Sequence, residues 1–389
     1  MITFSRRTEH DSELNAVAQA LRERRALGLP VCDLTESNPT RTALPYDAAR
    51  VLAALSDPRA MRYEPEALGL FSARAAVQAE QRALGFEVSL EHILLTSSTS
   101  EAYAFLFKLL CDPGDAIAIP EPSYPLFEHL AKLENVRTAG YSLAYDGAWH
   151  IDFDSLRKSL GPETRAIVVV SPNNPTGSFL KRDELERLTR FGLPIISDEV
   201  FASFALAPDS RRARSVLEVD EVPVFALSGL SKLAALPQMK LAWICARGPL
   251  PELARAFARL ELVADTFLSP GTPVQLALPA LLAARGPVLE ALNTRIRTNF
   301  ETLGAALRDS AATVLFLEGG WYATVRLPSL LDEAGWVLTL LHEDAVLTQP
   351  GWFYDFSEGQ MLVLSLITDE RDFALGVSRI AERVRLVSG

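Results

Sequence analysis

The feature that most constrains the fold is a series of short runs that are apolar almost throughout. Stretches with helical periodicity separate these runs along the chain. A strand that is apolar on both faces is typical of a parallel sheet covered by helices. The sequence therefore predicts an α/β fold with a mostly parallel sheet sandwiched by helices. The predicted strands are residues 92–96, 116–120, 165–170, 194–198, 222–227 and 241–246.

The pattern changes after a long helical stretch predicted at 273–307. Short strands predicted at 313–317, 320–326, 345–347 and 362–367 have helices between them, which indicates a smaller α+β lobe. The boundaries expected are 46–285 for a large domain, with 1–45 and 286–389 forming a discontinuous small domain. The other predicted helices are 12–27, 48–55, 71–84, 100–110, 182–190, 251–262 and 370–387.

Composition excludes several classes of function. The net charge of −11 argues against a nucleic-acid partner, which needs a clustered basic surface. Three widely spaced cysteines form neither a disulfide framework nor a metal or redox pair, and five scattered histidines, His10 among them, lack metal-ligand spacing, so no metal is predicted. Without an apolar signal core or a membrane-length apolar run, we expect a cytoplasmic protein with no membrane partner.

Polar side chains follow several of the predicted strands. Asn174 lies in the turn of VVVSPNNPTGSF, and Asp198 ends the run IISDEVF. The run LTSSTSEAY places the hydroxyls of Ser98, Thr99 and Ser100 at the start of a helix, where free N–H groups and the helix dipole favour an anion. Ligands of open α/β sheets bind at the carboxyl ends of the strands. These groups are therefore expected to share one site.

Lys232 adds an amine to this set, after the apolar run 222–227. A lysine, a carboxylate and an anion site together suit an aldehyde cofactor that carries a phosphate and a basic ring nitrogen. Taken singly, these residues are also common as a helix-start lysine, a helix cap and a turn residue. Their combination in this order points to chemistry.

With these motifs the chain resembles the class I/II aminotransferases, enzymes of fold type I that depend on pyridoxal phosphate. The resemblance implies that Lys232 forms the Schiff base and carries the proton, and that Asp198 pairs with the ring nitrogen. It implies that Asn174, in Asn174-Pro175-Thr176-Gly177, donates to the ring oxygen and that Tyr124 stacks on the ring. Tyr63, in RYEPEALG, would reach the phosphate of a partner subunit, which implies a homodimer with shared active sites.

Four positions depart from the family pattern. Phe201 replaces a tyrosine, so a phenol donor to the ring oxygen is missing, and Lys240 replaces a phosphate-binding arginine with a point charge. Ser98 stands for a glycine and Gly229 for a serine, with Ser231 or Ser228 expected to compensate. Val363 stands where an arginine normally binds the substrate carboxylate.

The replacement at position 363 leaves the identity of the substrate-binding groups open. Arg326 is a candidate substitute for the missing cation, and Trp352, Trp321 and Tyr322 are candidates for an aromatic wall or for ordinary packing. The function expected is transfer of an amino group between an amino acid and a 2-oxo acid. The alternatives are a lyase, oxidase or cyclising synthase of the same fold, or a cofactor-binding module without turnover.

Overall fold

The computed structural model describes residues 2–9 and 15–389. Most of the helices bury one apolar side against the two sheets. The helices of the described residues are α1 Ala16–Ala26, α2 Ala48–Ala54, α3 Phe71–Ala83, α4 Thr99–Leu110, α5 Leu126–Leu133, α6 Phe153–Ser159, α7 Arg182–Thr189, α8 Leu230–Leu233, α9 Leu250–Phe267, α10 Thr272–Ala284, α11 Gly286–Leu307, α12 Glu333–Glu343 and α13 Glu370–Ser388.

A sheet of eight strands forms the centre of the larger part of the molecule. Its strands in chain order are β2 Ile93–Thr96, β3 Ala116–Glu121, β4 Arg137–Tyr145, β5 Trp149–Ile151, β6 Thr164–Val170, β7 Ile195–Asp198, β8 Val224–Gly229 and β9 Ala242–Arg247, after a short β1 Cys32–Asp33 outside this sheet. The spatial order is β2-β9-β8-β7-β6-β3-β4-β5. Only β9 and β5 run against the direction of the others in this described sheet, which confirms the mostly parallel expectation.

Both faces of this sheet are covered by helices. Helices α4 and α9 pack on one face around Phe105, Leu106 and Leu260, while α3, α6, α7 and α10 pack on the other. The strands β6, β7 and β8 are parallel and in register, with Val170 opposite Asp198 and Asp198 opposite Leu227. Their carboxyl ends therefore meet at one edge, where the predicted site residues follow.

A second, antiparallel sheet lies in the C-terminal part, in the order β10-β11-β14-β13. Its strands are β10 Thr313–Val314, β11 Tyr322–Leu327, β13 Gln349–Pro350 and β14 Gln360–Ser365, and β12 Val346–Leu347 pairs with β1 instead. Helices α11, α12 and α13 pack with this sheet in a separate apolar core. The small α+β lobe is present, and its expected boundaries at 1–45 and 286–389 stay a prediction.

Several predicted elements differ from the structure. The long helix predicted at 273–307 is two helices, because the chain breaks at Arg285 and Pro287, which has no N–H to donate, takes a place in the first turn of α11. Helix α1 begins at Ala16, and residues 12–14 of the predicted helix, like His10, lie outside the described residues. Strand β4 was not predicted, because its half-exposed residues carry no apolar run.

In the part of the chain that the structure describes, no single helix is both long and apolar enough to cross a membrane. Helices α9 and α10 reach such a length and hydropathy only as a pair, with a bend of 118° between them.

Candidate active site

A cavity of about 590 Å³ opens beyond the carboxyl ends of β6, β7 and β8. It contains nine of the ten side chains that the sequence predicted for the site. Tyr63 is the exception: its side chain is 80% exposed and lies outside the cavity of its own chain. The nine lining residues are Ser98, Thr99, Ser100, Tyr124, Asn174, Asp198, Ser231, Lys232 and Lys240.

Lys232 lies in the single turn α8, directly after β8 ends at Gly229. Its Nζ lies 4.6 Å from the centroid of the Trp321 ring and 5.6 Å from that of Phe201. Burial lowers the pKa of the amine to about 8, although the Asp198 carboxylate acts in the opposite direction. A lysine amine with this pKa is partly neutral near physiological pH, so it can act as a nucleophile or a base.

The lowered pKa makes Lys232 reactive at a pH where ordinary lysines are protonated. Because only the neutral amine attacks an electrophile, we expect its labelling by trinitrobenzenesulfonate to rise through a midpoint near pH 8. In the urea-unfolded protein the same residue should show a midpoint of about 10.4. Peptide mass spectrometry of both samples measures this difference, and equal midpoints would contradict the buried position of the amine.

Asp198 ends β7 and faces the cavity. Its Oδ1 accepts a hydrogen bond from the Val200 N–H at 3.2 Å, and its Oδ2 accepts one from the Tyr103 hydroxyl at 3.4 Å. Burial raises the pKa of this carboxyl to about 6, while these two hydrogen bonds and Lys232 oppose the shift. Asp198 is therefore an anion above about pH 6 and can hold a positively charged group in place.

Asn174 lies in the turn that follows β6. The turn is closed by hydrogen bonds from the Asn173 N–H to the Ser178 carbonyl and from the Gly177 N–H to the Asn173 carbonyl. Gly177 has a positive φ of 69°, and a Cβ there would lie 2.4 Å from the Gly319 carbonyl oxygen. The buried Oδ1 of Asn174 has no hydrogen-bond partner among the described residues. Such an orphaned polar atom facing a cavity is a site for a ligand group.

The N-terminus of α4 forms another wall of the cavity. The Ser98 hydroxyl caps this helix by accepting from the Glu101 N–H at 3.1 Å, so it is engaged within the protein. The first N–H groups of a helix have no partner within it, and Thr99 and Ser100, the first two residues of α4, line the cavity. With the Lys240 ammonium on the same cavity, this end of the site suits an anion.

One departure from the family pattern, Gly229, has a steric explanation. A Cβ at Gly229 would lie 2.8 Å from the Cβ of Ala242 and 2.9 Å from the Leu241 carbonyl oxygen, so a serine does not fit there without a shift. Ser231 faces the cavity, as expected of a compensating hydroxyl. Phe201 packs edge-on against Trp321, with ring centroids 5.4 Å apart, and thus extends the aromatic surface beside Lys232.

The structure contradicts two interpretations of the C-terminal part. Arg326 is exposed, lies over the Tyr145 ring at 5.7 Å and does not line the cavity, so it cannot replace the missing arginine. It lies four positions along β11 from Tyr322, which does line the cavity, and so it stands toward the other end of that strand. Trp352 is 44% exposed and also lies outside the cavity.

The aromatic wall consists of Tyr322, as expected, together with Phe353 and Tyr354. Trp321 is fully buried behind Lys232 and does not line the cavity. The PGWFY segment does contribute this wall, but through the two residues that follow Trp352. The local sequence pattern could not show which of Trp352, Phe353 and Tyr354 faces the cavity, because the conformation of the turn Gly351–Tyr354 decides this.

Sequence reasoning missed several residues of the site. Tyr103 occupies an apolar position of α4, so only its contact with Asp198 reveals it. Ser37, His129 and Gln349 come from three distant segments and carry no local motif. The approach of those segments to one cavity is a property of the tertiary fold.

Comparison with known proteins agrees with this geometry. A profile described as "Aminotransferase class I and II" matches residues 43–361. The chain belongs to this aminotransferase family. Family membership confirms the resemblance and makes pyridoxal phosphate, the cofactor of this family of enzymes, the group to be tested against the site. The solved structure of alanine aminotransferase from Pyrococcus furiosus superposes with a TM-score of 0.89 over 99% of this chain and 100% of that one, at 23% identity. This likeness confirms the fold-type I architecture.

Curated relatives have more than one activity in their names. Nicotianamine aminotransferase 1 of Oryza sativa subsp. japonica is 29% identical over 56% of this chain, and S-alkyl-thiohydroximate lyase SUR1 of Arabidopsis thaliana is 28% identical over 62%. These alignments cover 45% and 53% of the two relatives, so the chain spans about half the length of the curated relatives it matches.

Proposed function

We propose that this protein is a pyridoxal-phosphate-dependent aminotransferase. It would move an amino group between a 2-amino compound and a 2-oxo compound, of which amino acids and 2-oxo acids are the class that family membership suggests. The observation that carries the proposal is the convergence of a low-pKa amine, a carboxylate and a helix N-terminus on one cavity. Each of the three groups meets a different need of the same cofactor.

The residues of the cavity fit pyridoxal phosphate. Lys232 would hold it covalently, Asp198 would bind its ring nitrogen, and the amide N–H of Asn174 would donate to its ring oxygen. The α4 N-terminus, through Thr99 and Ser100, would take the phosphate. Lys240, Ser98 and Ser231 would lie near the phosphate, and Tyr124 would stack on the ring.

The chemistry divides between this cofactor and the chain. When bound, the cofactor supplies an electron sink for the electron pair of the bond broken at the amino-bearing carbon. Asp198 keeps the ring nitrogen protonated, because an ionised carboxylate stabilises the adjacent positive charge. Lys232 Nζ would take the proton from the amino-bearing carbon of the substrate and deliver it to the cofactor carbon that receives the amino group, a role that suits an amine with a pKa of about 8.

Tyr103 supports this arrangement from behind the carboxylate. Burial and the neighbouring Asp198 raise the pKa of its phenol well above the ordinary value, so Tyr103 remains a protonated donor. Its hydrogen bond to Oδ2 leaves the carboxylate of Asp198 oriented toward the cavity. Tyr103 is thus a positioning residue.

We infer that the active enzyme is a homodimer in which Tyr63 reaches the partner's cofactor phosphate. The exposure of Tyr63, together with 90% exposure of Met61 and 60% of Phe71, supports an apolar contact surface near this residue. The cytoplasmic location is likewise a proposal. It is supported by the described cysteines Cys32, Cys111 and Cys245, which are all free.

The experiment that tests the function is a half-reaction followed by absorbance. Protein loaded with pyridoxal phosphate should lose its visible band when an amino donor is added, and a 2-oxo acid should restore it. Release of ammonia and a 2-oxo acid without this reversible change would favour the lyase alternative. Failure of every donor to change the band would refute both.

A further inference from the structure

The charged groups of the cavity all lie on one side. Lys232, Lys240 and Asp198 belong to the large sheet and its connections, and each has a use in holding the cofactor. The side contributed by the C-terminal part and the segment around residue 37 has no charged side chain among the described lining residues. The substrate must therefore place one of its groups against a neutral wall.

This wall is polar as well as neutral. Its hydrogen-bonding side chains are Ser37, Tyr322, Gln349 and Tyr354. The Tyr354 hydroxyl donates to Oε1 of Gln349, so the amide oxygen of Gln349 is engaged. No hydrogen bond within the described residues uses the Gln349 amide nitrogen. Its N–H groups are available to a ligand carbonyl or hydroxyl oxygen.

Val363 explains why this wall stays neutral. It is 1% exposed and lies opposite Gln349 in the pairing of β13 with β14, within the apolar core of the small lobe. The position at which the family pattern has a cation is thus filled by packed hydrocarbon. The cross-strand neighbours of Val363 are both uncharged, the amide of Gln349 on β13 and the hydroxyl of Thr324 on β11.

The tyrosine hydroxyls of this wall are also shielded from water. Burial raises the pKa of Tyr322 to about 12 and raises that of Tyr354 further above its ordinary value. An environment that disfavours a phenolate disfavours a substrate carboxylate for the same reason, since neither anion has a cation beside it. A neutral amide or alcohol loses less free energy on entering such a wall.

We propose that Ser37, Tyr322 and Gln349 form a subsite for a neutral hydrogen-bonding group on the amino-bearing carbon of the substrate. The substrate class is a 2-amino amide or 2-amino alcohol, which the enzyme uses in preference to the corresponding 2-amino acid. The Gln349 N–H donates to the substrate carbonyl or hydroxyl oxygen, and the aromatic wall packs against the rest of the molecule. This subsite rests on the proposed function, because it is defined relative to the bound cofactor.

The first test measures binding without turnover. The cofactor-loaded protein is titrated with 3-phenylpropanamide and 3-phenylpropanoate, which lack an amino group, and each Kd is obtained by calorimetry. We expect the amide to bind at least about tenfold more tightly than the acid. Equal affinities, tighter binding of the acid, or no binding of either compound would overturn the subsite.

A variant links this preference to Gln349. Gln349→Leu should lower the affinity for the amide about tenfold while the acid changes less than about twofold. Gln360→Leu, on the neighbouring strand and outside the cavity, should keep the wild-type ratio. A ratio unchanged in Gln349→Leu would refute the role of this amide, and the ratio is insensitive to a general loss of folded protein.

The second test compares kcat/KM for L-phenylalaninamide, L-phenylalaninol and L-phenylalanine in the half-reaction. The amide and alcohol should exceed the acid by about tenfold. If the acid is preferred, a cation from elsewhere, such as a partner subunit, binds the carboxylate and the subsite is refuted. If the inert amide binds tightly and no amino compound reacts, the subsite stands and the proposed function fails.

Discussion

Lys232→Ala is expected to abolish amino transfer, with kcat at least about 10³-fold lower, because one residue supplies both the covalent attachment and the proton-transfer base. The variant should also fail to develop a visible band when pyridoxal phosphate is added. Absorbance spectra and half-reaction rates measure these two losses. Because burial disfavours the charged form of this amine, as its lowered pKa shows, the unfolding midpoint in urea should fall little.

A matched control separates this effect from a general loss of lysine charge. Lys158 is an exposed lysine in the last turn of α6, outside the cavity, and Lys158→Ala should retain the band and wild-type rates. Retention of more than a tenth of the activity by Lys232→Ala would show that another residue performs the proton transfer.

Asp198→Asn is expected to lower kcat by about 10²–10³-fold, because the amide cannot stabilise a positive charge on the cofactor ring. The pKa of Asp198 is raised to about 6, so the carboxylate is present above that pH and is lost as the pH falls below it. Below about pH 6 the cofactor-free wild type should therefore lose affinity for pyridoxal phosphate, and the Asn variant should lack this dependence. Titration of both cofactor-free proteins with pyridoxal phosphate on either side of that pH measures the difference.

The neighbouring carboxyl provides the control for this variant. Glu199 is engaged with the Ser215 hydroxyl and the Val216 N–H at 3.0 and 2.9 Å and does not line the cavity. Glu199→Gln should keep the catalytic rate within a few-fold. Because a raised pKa means that burial disfavours the Asp198 carboxylate, Asp198→Asn should resist urea at least as well as the wild type above pH 6. An Asn variant with wild-type kcat would contradict the assigned role.

The parallel strands could be predicted from sequence because their signal is local. Strands β6, β7 and β8 are apolar on both faces, so their residues form continuous apolar runs. The half-exposed β4 has no such run, and its place at one side of the sheet depends on pairing with β3. The break between α10 and α11 was missed because the helical periodicity continues across it.

The site residues likewise fall into those that local sequence predicts and those that it does not. Lys232, Asp198 and Asn174 follow parallel strands directly, so the parallel register brings them together once the strands are recognised. Arg326 shows the limit of this reasoning, because its sequence position near a strand end did not reveal how far along β11 it lies from the cavity. The residues that come from Ser37 and Gln349 had no motif to predict them.

By itself, the sequence determined most of the parallel strands and the side chains that end them, because apolar periodicity and turn residues act over a few positions. Only the tertiary structure decided what faces those side chains. The packing of the small sheet buries Val363, turns Arg326 to the surface and brings Gln349, Tyr322 and Tyr354 to the cavity. These contacts join segments far apart in the chain, so their cause is the packing of two sheets rather than any local pattern.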